Sequence, residues 1–259
     1  MNPMMRSVGA VVAAGAVALA ATSCGSDRAA PSDGVGGTVT VFAAASLTET
    51  FTALGERFEA AHPGTRVVFS FGASSALAQQ IQQGAPADVF ASAAPKNMQQ
   101  VVDAGEVTAT PVTFVRNRLE IAVPPGNPGR IAGLTDFANP DEKIALCAEQ
   151  VPCGAAAKTV FEAAGITPRP DTREADVKAV LTKVTLGEVD AALVYRTDVR
   201  AAGGKVTGID FPESAEAIND YPIAPLATAP NAAAAAAFVT FIGSAEAGAV
   251  FAQAGFETP

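Results

Sequence analysis

The sequence predicts an α/β protein of two lobes joined by a hinge. Short β-branched apolar runs alternate with segments of helical apolar spacing along 259 residues, a length that fills one large core or two modest ones. Two extended segments, around Thr113–Val123 and at Tyr221–Leu226, read as crossings between the lobes. The apolar helical stretch that follows the second crossing needs a partner, and a return to the first lobe provides one. Two crossings make a hinge, and two lobes on a hinge make a clamshell. No internal repeat is evident.

The chain opens with MNPMMRSVGAVVAAGAVALAATSC, where Arg6 precedes an apolar stretch from Val8 to Ala21. This is the pattern of a secretory signal over residues 1–23, too short and too rich in Ala and Gly for a comfortable membrane span. Ala21-Thr22-Ser23-Cys24 resembles a bacterial lipobox, in which the cysteine is acylated after cleavage, although Leu19 lies further upstream than the usual leucine. The alternative is an ordinary cleavage site beside a chance cysteine. Residues 24–37, with SDRAAPSDGVGG, then read as a flexible lipidated tether.

Thr38–Phe42 is a buried strand, and Leu47, Phe51, Leu54 and Phe58 recur at helical spacing behind it, so Ser46 sits at the mouth of a helix. With Glu49 it matches an S-x-x-E capping box, which needs no ligand. A capping hydroxyl can still donate its own proton outward. The same design recurs at RVVFSFGASSALAQQIQQG: a strand over Arg66–Phe71, a turn at Gly72, and Ser74 and Ser75 opening a helix that ends at Gly84. Two such junctions place two partly positive helix ends where they can converge on one anion. A strand at Ala87–Ala91 and a helix from Pro95 complete this part of the first lobe.

The second lobe is read from about residue 117, with a helix near Leu134, a strand at Lys143–Cys147 and a helix over Gly154–Ala164. A helix over Arg173–Leu186 and strands at Asp190–Tyr195 and Lys205–Phe211 follow. The lobes divide as residues 38–116 with 223–259, and residues 117–222. Beyond the second crossing, NAAAAAAFVTFIGSAEAGAVFAQAGF supplies two helices, its alanines being helix-forming composition.

Net charge is -9 with no basic run, which argues against nucleic acid as a partner. Removal of residues 1–23 takes away Arg6 alone among the charged side chains, giving -10. An acidic protein that holds anions must use local dipoles and neutral donors. Cys147 and Cys153, in CAEQVPC, suggest a disulfide in an exported chain, the alternative being two buried thiols. The lone histidine, His62, lies in the turn AHPG and offers poor support for a metal site.

TVFAAASL, FGASSALAQQI, GAPADVFASA, VPCGAAAK, ADVKAVLTKV, DAALVY and the closing AGF, in that order from Thr38 to Phe256, resemble the molybdate-binding proteins of bacterial ABC transporters. GAPADVF and the C-terminal helices occur widely among solute-binding proteins, whereas FAAASL, FxxSS, VPxG and the terminal VY are more specific. The resemblance implies a two-lobed periplasmic-binding-protein fold of type II that closes on a tetrahedral oxyanion. It assigns the ligand donors to the side chains and N–H groups of Ser46 and Ser74, the N–H groups of Cys153 and Val177, and the Tyr195 hydroxyl. Alanine is common in the family where Cys153 stands; a backbone donor tolerates the change, and a disulfide there would stiffen the loop.

Together with the lipobox-like Ala21–Cys24, the resemblance describes a monomeric, lipid-anchored receptor on the outer face of the cytoplasmic membrane. It would deliver molybdate or tungstate to an ABC permease, with no cofactor and no chemistry of its own. A fully ionised oxyanion carries acceptors only, so hydroxyls and N–H groups satisfy it without a buried countercharge. Asp176 is then expected to point away from the ligand and cap its own helix. Sulfate, phosphate and ferric iron are the competing cargoes; iron is disfavoured because Tyr195 and Tyr221 lie in separate motifs. A serine hydrolase would need a base beside its nucleophile, and His62 lies near no G-x-S-x-G elbow.

Overall fold

The computed structural model describes residues 35–259. The leader over residues 1–23, Cys24 and most of the tether lie outside the described residues.

The first sheet holds β1 (Gly37–Ala44), β2 (Thr65–Gly72), β3 (Val89–Ala91), β4 (Val112–Asn117) and β10 (Asn219–Pro225), in the order β2-β1-β3-β10-β4. β1, β2 and β3 run parallel, and β10 lies antiparallel to β3 and β4. The second sheet holds β5 (Leu119–Val123), β6 (Ile144–Cys147), β7 (Thr172–Glu174), β8 (Ala191–Tyr195) and β9 (Thr207–Ile209), in the order β7-β6-β8-β5-β9. Here too the parallel strands sit together and the fourth strand, β5, runs antiparallel to both neighbours. In each sheet that fourth strand is the one that arrives from the other lobe, the signature of the two-lobed type II fold.

Helices cover both faces of the first sheet. On one side α1 (Thr48–Ala61), α7 (Ala232–Ile242) and α8 (Ala245–Ala254) pack Phe51, Phe58, Phe238 and Phe251 against Val39, Val41 and Ile223. On the other, α2 (Ser74–Gln82) and α3 (Pro95–Asp103) bury Leu77, Ile81, Met98 and Val101 on Phe42 and Phe90. The two C-terminal helices thus return to the first sheet, as their apolar faces require. The second sheet builds its own core with α4 (Pro152–Ala164), α5 (Val177–Thr185) and α6 (Arg196–Ala202). Ala45, the first residue after β1, belongs to that second core, so the lobes meet with their inner edges in contact.

Three readings of the sequence are revised. The helix expected from Arg173 begins at Val177, because Thr172–Glu174 pairs with β6 as an edge strand. The helix near Leu134 is a 3-10 turn over Leu134–Ala138. Pairing of β10 starts at Asn219, where Asn219 and Asp220 oppose Asn117 and Arg116. Tyr221–Pro225 therefore lies within the first sheet, with Leu226 just beyond it, and the return from the second sheet falls between Ile209 and Asn219. The cause is the ladder with β4: once those backbone groups pair, crossing is already complete.

Candidate functional site

β1 ends in a 3-10 turn over Ala45–Leu47, and only then does α1 begin. That turn moves Ser46 off the cap position, which Leu47 occupies, and no side chain caps either helix start. The Ser46–Glu49 capping box does not form. Ser46 is instead buried, with Oγ 2.8 Å from the Tyr221 hydroxyl, and Glu49 turns to Lys178.

At the second junction Ala73 is the cap residue and Ser74 the first residue of α2. Ser74 is buried, and its Oγ accepts the Ala93 N–H at 2.9 Å. An N–H can only donate, so the Ser74 proton remains free for a third group. Ser75 is half-buried and lines a separate, wider pocket beside the site, with Gln79, Lys96 and Gln150, in which the centre of a water-sized sphere can sweep about 360 Å³.

The second lobe contributes two helix starts and a strand end. A disulfide joins Cys147 to Cys153, and Pro152 opens α4 where its missing N–H costs nothing. Cys153 follows in the first turn, whose N–H groups have no partner within the helix. Gly154 is required: a Cβ there would lie 1.9 Å from the Ala148 carbonyl oxygen. At α5, Asp176 is the cap, and its Oδ1 accepts the N–H groups of Lys178 at 2.8 Å and Ala179 at 3.0 Å. The Val177 N–H takes no part in that cap, while its side chain is buried in the core.

Tyr195 ends β8 at 1% exposure, and its hydroxyl has no hydrogen-bond partner. An orphaned buried hydroxyl costs about 1–3 kcal/mol, which a ligand can relieve. Burial pushes this phenol well above its usual range, and Tyr221 and Asp198 add to the effect.

Ser46, Ser74, Cys153, Val177 and Tyr195 all line one small cavity between the lobes, together with Ala44, Ala45, Gly72, Ala73, Ala93, Val151, Pro152 and Asp176. The centre of a water-sized sphere can sweep about 20 Å³ of it, equivalent to a ball of roughly 3 Å radius once the sphere's own size is added. No lysine or arginine lines it, and its one carboxylate, Asp176, is bonded to helix N–H groups. The first turns of α2, α4 and α5 and the 3-10 turn at Ser46 converge there, each presenting N–H dipoles. The arrangement suits a small anion with acceptors on all sides.

Chemistry on a bound solute has no support. His62 stacks on Phe58 at 4.2 Å between ring centroids, and its Nδ1 is 3.0 Å from the Phe58 carbonyl oxygen, away from both serines. No cluster of three or more metal-ligating side chains occurs among the described residues. Contrary to the argument from separate motifs, Tyr195 and Tyr221 do come together, with ring centroids 6.1 Å apart. Only Tyr195 lines the cavity, however; the Tyr221 hydroxyl faces Ser46 at 2.8 Å, so the two phenols do not present themselves side by side to a bound ion.

Sequence reasoning passed over Tyr221, Asn117, Lys178 and Asp198 as parts of the site's surroundings. Asn117, a buried amide between two apolar strands, was the one local signal available.

A family model described as bacterial extracellular solute-binding protein matches residues 39–257. The molybdate-binding protein ModA of Mycobacterium tuberculosis (strain ATCC 25618 / H37Rv) is 40% identical over 252 residues, covering 97% of this chain and 96% of the relative. The periplasmic molybdate-binding protein of Azotobacter vinelandii superposes with a TM-score of 0.75 at 22% identity, over 85% of this chain and 99% of that one. The sulfate-binding protein SubI of M. tuberculosis gives a TM-score of 0.74 at 21% identity, over 85% and 86%, so the fold alone does not separate the two cargoes. These relatives are solute-binding proteins rather than enzymes, and on the strength of the sequence match the chain belongs to the bacterial extracellular solute-binding proteins, in the family of ModA.

Proposed function

We propose that this protein captures molybdate, and tungstate of the same shape and charge, outside the cytoplasmic membrane and passes it to an ABC permease. The observation that carries the reading is the orphaned, buried Tyr195 hydroxyl in a cavity otherwise built from Ser46, Ser74 and helix N–H groups, with no cation among its lining side chains. A donor-only site prefers a fully ionised tetrahedral anion, and leaving out a countercharge keeps release to the permease feasible. The sequence match to ModA favours molybdate over the other oxyanions. Discrimination from sulfate then rests on cavity size, because both anions offer the same acceptors.

In this reading the chain is a monomer. Residues 37–117 with 219–259 and residues 118–218 are the two closing lobes, divided at the crossings between the two sheets, Cys24 carries the lipid, and residues 24–36 are the tether. The test is calorimetric titration of the tether-trimmed, anion-free protein with molybdate, tungstate, sulfate and phosphate in turn. Tight one-to-one binding of the first two with little response to sulfate is expected. Binding of sulfate or phosphate alone would retain the clamshell and discard the specificity.

A further inference from the structure

We propose that Asn117 and Tyr221 form a one-way hydrogen-bond relay that makes the Ser46 hydroxyl an obligate donor to the ligand, and so turns away oxyanions that carry a proton. The inference rests on the reading of the cavity as an oxyanion site and goes on to name what sets its polarity.

The relay is directional at every step. The Asn117 Oδ1 accepts the Arg118 N–H at 3.0 Å, which fixes the amide so that Nδ2 faces Thr197 Oγ1 at 2.9 Å and the Tyr221 oxygen at 3.5 Å. Asn117 is 1% exposed and Tyr221 fully buried, which shields the pair from bulk solvent. The Tyr221 ring is held by Phe114, Phe256 and Tyr195. A phenol has one proton. With its oxygen receiving from Asn117, Tyr221 gives that proton to Ser46 Oγ, 2.8 Å away. Ser46 then has a lone pair engaged, and its own proton turns to the cavity.

Ser74 reaches the same state by different means. Its partner is the Ala93 N–H, which cannot accept. At Ser74 the backbone sets the polarity; at Ser46 a side chain does, so there it can be changed. Two serines locked as donors, with the helix N–H groups, leave a monoprotonated anion without its acceptor at those positions. Tyr221 and Asn117 are therefore positioning residues that act through Ser46.

Tyr221→Phe keeps the ring and removes the proton. The expected result is a loss of about tenfold in molybdate affinity, the scale of one hydrogen bond to a charged group, with phosphate binding unchanged or stronger, so that the molybdate-to-phosphate ratio falls. Asn117→Leu, which removes the donor behind Tyr221, should move the ratio the same way by less. In a Ser46→Ala background, Tyr221→Phe should have no further effect. An unchanged ratio, or an equal loss in both backgrounds, would overturn the relay while leaving the oxyanion site standing. A wild-type protein that ignores molybdate, tungstate and sulfate would overturn the site and the relay together.

Discussion

Lys178 and Glu49 join the two lobes: the Lys178 ammonium, one residue past the Val177 N–H on α5, lies 2.8 Å from both carboxylate oxygens of Glu49 on α1. The same ammonium is 2.9 Å from Asp198, which is fully buried. Burial alone would lower the lysine's pKa, but the two carboxylates outweigh it and raise it. Glu49→Gln should cost about 0.2–1 kcal/mol of molybdate affinity, as expected for a half-exposed pair, and the difference should shrink as salt is raised. Lys178→Met strands Asp198 among apolar neighbours and should lower unfolding stability by about 3–5 kcal/mol. Calorimetric titration at two salt concentrations and chemical denaturation measure the two effects.

Ser46→Ala and Ser74→Ala each remove one donor and should each lose about 1.5–3 kcal/mol of affinity. Unaltered binding in both variants would show that the ligand sits elsewhere.

Gly154→Ala drives a Cβ against the Ala148 carbonyl oxygen. The start of α4 must move, so we expect about 1–3 kcal/mol of lost stability together with at least tenfold weaker binding, read by thermal unfolding and titration of the same sample.

The Cys147–Cys153 bridge closes a short loop, with a sequence separation of 6. Its reduction should release about 2 kcal/mol of loop-closure stabilisation and add two hydrogens to the intact mass. A mass unmoved by reductant would remove the bridge.

Glu257 ties the C-terminal tail to the first crossing. Its backbone pairs with Arg116, and Arg118 donates to its carboxylate at 2.8 Å. That hydrogen bond holds the carboxyl below its ordinary 4.5. A depressed folded-state pKa gives stability that is present above the unfolded value and is lost as pH falls through the folded one. Wild type should therefore lose more of its thermal midpoint than Glu257→Gln between neutral pH and about pH 3. Parallel curves would show that the pair contributes nothing.

Elements with a long apolar period were readable because burial imposes the period: β1, α1, α2 and the two C-terminal helices lie close to where spacing placed them. Thr172–Glu174 was misread because three residues carry no period of their own, and their strand exists only through β6. The Ser46–Glu49 box has the right spacing but not the right backbone, since the 3-10 turn shifts the cap to Leu47. Residues of the cavity could be named through likeness to a family, yet no local pattern states that Ser46 faces Tyr221 from 175 positions away.

Chain order and composition thus settle where strands give way to helices, which serines stand at helix mouths, and that any anion must be held without a surplus of positive charge. What a hydroxyl does at such a mouth is settled by folding. Ser46 can give or accept a proton until Tyr221 and Asn117 arrive on other strands, and Lys178 meets Asp198 only when α5 packs beside α6 and Glu49 only when the two lobes come together. Hydrogen-bond direction and charge pairing belong to neighbours in space, and those neighbours come from the far ends of the chain.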